Sequence, residues 1–211
     1  MKPLIFGSQV YTFLRECEKS NLEKTILDCG AGGDLPPLGL FHIYGYKTYG
    51  IDISDSQLEK TTEFCKEYDI ELHIRKGDMR HLQFEDESIS FIYSINSMIF
   101  LTKQETQQVM NEIERVLKAD GLCFVNFLSI DDEDYKQGNQ IGENEFKQGG
   151  FYWTDEEVVK SFFEDNEPDI FFHNFEILRK EKRIVERKCD NCQNIHRQAF
   201  IDYIAKKKKK G

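Results

Sequence analysis

The sequence predicts an α/β fold: a seven-stranded mixed sheet, mostly parallel, closed by a C-terminal antiparallel hairpin and flanked by helices on both faces. Two observations carry this. Short apolar β-type runs alternate with helix-period runs from residue 25 to residue 129, the pattern of βα units building a parallel sheet. Two long extended runs, Phe171 to Lys188 and Ile195 to Lys206, then flank the turn Cys-Asp-Asn-Cys-Gln-Asn and read as a hairpin.

The strands are expected at Thr25–Cys29, Lys47–Asp52, 71–76, Ile89–Ser94 and 122–128, with the hairpin supplying two more. Pro36 and Pro37 suit the first turn of a short helix reaching about Tyr44, because a missing N–H costs nothing there. Ser54 with Gln57 reads as a capping box before Leu58, Cys65 and Tyr68. Thr102 with Glu105 does the same for Val109, Met110, Ile113, Val116 and Leu117, whose spacing forms a broad apolar stripe. Residues 131–150 are polar, contain four glycines and have no usable period, so they read as a long loop. Thr154 with Glu157 predicts a further short helix through Val158, Val159, Phe162 and Phe163. One domain over 1–211 is expected, with 25–129 as its core, 130–168 as a substrate-side loop and helix, and 169–207 as the closing hairpin.

Composition narrows the function classes. Hydrophobic residues make up 39% of the 211, with 17 Phe, which supplies a core of ordinary size. No apolar run nears the roughly 18 residues that span a bilayer, and the N-terminus lacks the pattern of a secretory signal, so a cytoplasmic protein without a membrane role is expected. Six cysteines scattered through apolar segments fit reduced thiols. The net charge of −10 argues against nucleic acid, whose binding draws on clustered cations. Five cations sit in the run Lys206 to Lys210, which reads as a solvated tail.

The stretch Ile-Leu-Asp-Cys-Gly-Ala-Gly-Gly-Asp-Leu-Pro-Pro, residues 26–37, carries the chemistry. Backbone amides at a strand-to-helix turn attract ligands, and glycine admits close approach. The dinucleotide fingerprint fails here, since glycines fall at 30, 32 and 33 while Leu35 takes the third place. Asp28 and Asp34 also crowd the spot, and an anion about 4 Å from a pyrophosphate costs on the order of 4 kcal/mol at an effective dielectric of 20. A cofactor with cations near the glycines and a ribose further along suits the acids, and S-adenosylmethionine has that layout. Asp52, at the end of the second strand, is placed to accept both ribose hydroxyls. Asp78, after the third, can accept from an adenine amino group.

With these residues in order, the chain resembles the class I S-adenosylmethionine-dependent methyltransferases, the small stand-alone type acting on small molecules. The matching pieces are ILDCGAG, YGIDIS, KGDMRHLQFEDESISFIYS and RVLKADGLCFVNF, over roughly residues 25–129. The resemblance implies a Rossmann-like fold, with Asp28, Gly30, Ala31 and Gly32 around the methionine part and Asp52 on the ribose. It further implies Ile53 against the adenine, Asp78 and Met79 at the adenine edge, and Ser94 at the start of the loop facing the methyl. Asp34 departs from the family, many of whose members have glycine there.

Methyl transfer from a sulfonium is an in-line displacement that needs positioning rather than a metal. No general base stands out; His81, His42 and His173 read better as solvated or structural. Substrate candidates are Asn96, just past the fourth strand, Tyr152 within the aromatic run Phe151-Tyr152-Trp153, and Tyr11 in the N-terminal segment. Cys189 and Cys192 lack a second pair and read as surface thiols rather than zinc ligands. The expected partner is a small-molecule methyl acceptor, and the protein a monomer or homodimer. Two other readings remain open: a nicotinamide-dependent oxidoreductase on the same βα pattern, and a non-catalytic member of the methyltransferase fold that binds cofactor or a partner.

Overall fold

A computed structural model describes residues 4–149, 156–188 and 195–209. Five strands form the parallel part of the sheet: β1 (Thr25–Cys29), β2 (Lys47–Asp52), β3 (Ile74–Lys76), β4 (Ile89–Ser94) and β5 (Leu117–Ser129). Four helices accompany them: α1 (Ser8–Cys17), α2 (Leu38–Ile43), α3 (Asp55–Tyr68) and α4 (Lys103–Val116). Strand order β3-β2-β1-β4-β5 reverses direction of growth between β1 and β4, so the chain switches sides there. The crevice beyond the carboxyl ends of β1 and β4 is where such a sheet binds ligands.

The seven expected strands are all present, since β9 (Phe175–Lys188) and β10 (Ile195–Lys207) form the closing hairpin and β10 pairs antiparallel with β5. Three more strands appear where a loop and a helix were expected: β6 (Asn139–Gly142), β7 (Glu145–Gln148) and β8 (Val158–Phe163). The helix expected through Val158 to Phe163 is therefore a strand, pairing with β7 and with the last two residues of β5. Val158 and Val159 are β-branched and the run is six residues long, short for a helix. A neighbouring edge at Leu128 and Ser129, past the end of β4, decides it. The first half of the supposed capping pattern, Thr154, lies outside the described residues.

Alternation along the central strands sorts the core into two layers. Leu27, Ile92, Cys123, Val125 and Phe127 face the α4 stripe of Val109, Met110, Ile113 and Val116. Ile26, Phe91, Tyr93, Leu122 and Phe124 face α1, α2 and α3. Both expected N-caps form: Ser54 Oγ accepts from the Gln57 N–H without the reciprocal half of a box, whereas Thr102 and Glu105 cap each other reciprocally. The third strand is half its expected length, because Asp69 and His73 both take positive φ and the chain is not extended until Ile74.

The first two residues of the lysine run, Lys206 and Lys207, belong to β10 rather than to a solvated tail. Lys206 pairs with Glu176 and Lys209 with Asp120. Lys207 is 2% exposed and donates to the Leu117 carbonyl at 2.6 Å and to Glu87 at 3.1 Å. The run continues β10, and the acidic body of the protein supplies its counter-charges. Among the described residues no helix is long and apolar enough to cross a membrane.

Candidate active site

A cleft of about 620 Å³ opens beyond the ends of β1, β2 and β4. Its first wall is the glycine loop. Gly30 and Ala31 donate their N–H groups to the Ile51 carbonyl, both at 2.9 Å, so the loop folds back across β2. Gly30 has φ +112°, and a Cβ there would sit 2.0 Å from Ser97 Oγ, so only glycine fits between the loop and the end of β4. Thr61, buried on α3, holds the loop from below by donating to the Ala31 and Gly33 carbonyls.

Asp52 joins this wall to the next. Its Oδ2 accepts from the Gly32 N–H at 2.9 Å and its Oδ1 from the Ser54 N–H at 2.8 Å. Each carboxylate oxygen keeps a further lone pair, and Asp52 lines the cleft beside Ile53, which is 61% exposed. Asp78 and Met79 line the opposite side. Both Asp78 oxygens are engaged by Arg80, whose guanidinium also reaches Glu105 of the α4 capping box. That charge-assisted pairing holds the Asp78 carboxyl below the usual carboxylate range. An adenine amino group would share Asp78 with Arg80.

Asp28 behaves differently. It is 2% exposed and does not line the cleft, and burial pushes its carboxyl up to about 8. Neighbouring Tyr93 works against that shift and the charge of Asp52 adds to it. Asp28 Oδ2 and the Tyr93 hydroxyl are both buried, and neither makes a hydrogen bond of good geometry. An orphaned carboxylate oxygen directly under the glycine loop is a place that favours a cation.

The cleft's second half is apolar. Ile95, Phe100 and Leu101 come from the segment after β4, where Met98–Phe100 form a 3-10 turn, and Val158 and Val159 come from β8. The small sheet is tied down here: Ser161 donates to the Leu101 carbonyl at 2.7 Å, and Glu145 accepts from the Lys103 N–H. This wall, with Gln57, Lys60 and Arg80, is what sequence reasoning missed as a site. The hydrophobic run Val158 to Phe163 was visible, but nothing in it said which sheet edge it would join.

Of the residues singled out in the sequence, Gly30, Gly32, Asp52, Ile53, Asp78, Met79 and Asn96 line one cleft together, with Asp34 beside them. Ala31 and Ser94 do not: Ala31 is fully buried, and Ser94 spends its hydroxyl on the Cys29 carbonyl at 2.8 Å, locking β1 to β4. Tyr11 sits 41% exposed on α1 and is not part of the lining, nor are His42, His81 and His173. Tyr152 with its aromatic neighbours, and Cys189 with Cys192, lie outside the described residues.

Residues 27–125 match the model of a methyltransferase domain family. These residues, just under half of the chain, are similar to that family. The fold is that of solved S-adenosylmethionine-dependent methyltransferases. A methyltransferase structure from Methanosarcina mazei covers 97% of this chain and 99% of its own, with a TM-score of 0.73 at 19% identity. The 1,6-didemethyltoxoflavin-N1-methyltransferase of Burkholderia thailandensis, solved with S-adenosylhomocysteine, superposes with a TM-score of 0.63 at 10% identity, over 96% of this chain and 77% of its own. In sequence, the sterol 24-C-methyltransferase of Candida albicans is 30% identical over 112 residues, 52% of this chain and 29% of that protein. The chain thus spans about a third of the length of the curated relatives it matches. These similarities lend no support to the nicotinamide reading of the same βα pattern.

Proposed function

We propose that the protein transfers the methyl group of S-adenosylmethionine to a small-molecule acceptor. The observation that carries this is the division of one cleft into two halves. A polar half holds Gly30, Gly32, Asp52 and Asp78, and an apolar half holds Ile95, Phe100, Leu101, Val158 and Val159. The chain's residues fit the cofactor: Asp52 offers free lone pairs to the ribose, Ile53 and Met79 offer apolar surface to the adenine, and the unpartnered Asp28 carboxyl lies buried behind the glycine loop rather than in the cleft. When bound, the cofactor supplies a sulfonium-activated methyl. The protein's task is then to bring the acceptor in line with it and exclude water, which the apolar wall does. Among the described residues lining the cleft there is no histidine, cysteine or tyrosine, so positioning is the main contribution the described wall offers.

Calorimetric titration with S-adenosylhomocysteine tests the cofactor site, with binding in the micromolar range expected. Transfer of tritium from methyl-labelled cofactor, measured over a panel of small metabolites, tests the reaction. Saturable cofactor binding with no transfer to any acceptor would instead favour a non-catalytic role.

A further inference from the structure

The segment after β4 contains a hydrogen-bond arrangement that fixes the polarity of one cleft residue. Asn96 lines the cleft and has φ +57°, a left-handed conformation that asparagine tolerates better than most residues. Its backbone N–H lies 2.8 Å from one side-chain atom of Asn126, a fully buried residue of β5. A backbone N–H can only donate, so that atom is the Asn126 oxygen and the other is its nitrogen. The nitrogen lies 2.7 Å from the Asn96 side chain, which must accept and therefore presents its oxygen there. The usual ambiguity of amide orientation is removed by this chain of constraints. What is left is Asn96 Nδ2, which makes no hydrogen bond among the described residues.

The surroundings say what that donor meets. Ser97, next in sequence, donates its hydroxyl to the Ile95 carbonyl at 3.3 Å. Phe100, Leu101, Val158 and Val159 make the nearby wall apolar. The charged groups lining the cleft are Asp34, Asp52 and Asp78 against Lys60 and Arg80, and Arg80 is already engaged by Asp78 and Glu105. That balance disfavours an anionic acceptor.

We infer that Asn96 is a fixed hydrogen-bond donor in the acceptor half of the cleft, set in that polarity by Asn126, and that it selects an uncharged, largely apolar acceptor carrying a carbonyl-type oxygen. Asn126 is a positioning residue; Asn96 is the specificity-determining one. The acceptor class rests on the proposed function, whereas the donor polarity stands without it.

Two measurements on the full chain saturated with S-adenosylhomocysteine test this. In 15N-labelled protein, the side-chain amide pair that disappears in Asn96→Asp should exchange rapidly with water, while the Asn126 pair should be protected. Equal protection of the two overturns the polarity. Then acetophenone, which has a carbonyl acceptor, is titrated against ethylbenzene, which has the same shape without one. Wild type should prefer acetophenone by about tenfold, the worth of one hydrogen bond. In Asn96→Asp the exposed atom becomes an acceptor, and the preference should vanish. Asn96→Gly, which tolerates the same φ, should lose it as well. No preference in wild type, or one that survives both substitutions, overturns the acceptor class. If S-adenosylhomocysteine does not bind while the amide of Asn96 still exchanges freely, the proposed function fails and the donor assignment holds.

Discussion

The two halves of the cleft are built on different principles. The cofactor half is made of backbone and charge: the Gly30 and Ala31 N–H groups on the Ile51 carbonyl, both Asp52 oxygens on main-chain donors, Asp78 clamped by Arg80. The acceptor half is made of apolar side chains from two distant segments, brought together when β8 joins the free edge of β5. A glycine loop packed this closely tolerates few substitutions, because an added Cβ meets its neighbours and strains a backbone that its hydrogen bonds hold in place. An apolar wall tolerates many, since changes in volume alter shape without leaving polar groups behind. Substitutions in the first half should therefore destroy a function that substitutions in the second merely redirect.

The largest effect is expected at Gly30. An alanine Cβ would need φ +112° and would meet Ser97 Oγ at 2.0 Å and Ser97 Cβ at 2.4 Å. Strain of that kind costs roughly 1–3 kcal/mol before any clash is relieved. Gly30→Ala should lower the melting temperature measurably and abolish S-adenosylhomocysteine binding in calorimetry. Asp52→Asn comes next. It removes the charge that receives the Gly32 and Ser54 N–H groups, and hydrogen bonds to charged groups are worth about 1.5–3 kcal/mol. Binding should weaken roughly 10- to 100-fold, on the arithmetic of about 1.4 kcal/mol per decade. An Asp52→Asn protein with unaltered affinity would show that the ribose is held elsewhere.

These positions were legible in the sequence because their chemistry restricts residue type. Glycine at a positive φ and an acid at the end of β2 leave marks in a single chain, as do the Ser54 and Thr102 caps. Ser94 left no such mark: it ends β4 as expected, and its hydroxyl serves the Cys29 carbonyl. The acceptor wall was not legible, since Val158 and Val159 look alike in a helix face, a strand or a loop anchor. Their location depends on a strand pairing more than 30 residues distant in sequence, between Leu128 and Phe162. The lysine run misled similarly, because composition could not show that Glu87, Asp120 and Glu176 were waiting beside it.

At Asp28 the expected effect on cofactor affinity is smaller and depends on pH. Burial pushes its folded carboxyl up to about 8 from an ordinary value near 3.8, so the folded state holds a proton that the unfolded state gives up. Stability from this group is full below the unfolded value and falls as pH rises toward 8. Asp28→Asn should therefore flatten the decline of unfolding free energy between pH 5 and pH 8, on the order of a few kcal/mol across the window, read from chemical denaturation at each pH. A cation bound near the carboxylate favours its ionised form. S-adenosylhomocysteine, which carries an ammonium, should then release up to about one proton on binding at pH 7, read as a buffer-dependent calorimetric enthalpy, and release none in Asp28→Asn.

The smallest effect on cofactor affinity is expected from the apolar wall. Val159→Ala removes two methyl groups from a partly exposed side chain on β8, leaving the glycine loop and Asp52 untouched. S-adenosylhomocysteine affinity should stay within about twofold, while the order in which a set of acceptors is methylated should change, since a single methylene in such a pocket discriminates by roughly 10- to 200-fold. A large loss of cofactor affinity in Val159→Ala would mean that β8 packs against the cofactor itself. The cleft would then be one continuous site, and the acceptor would have to enter from a different side.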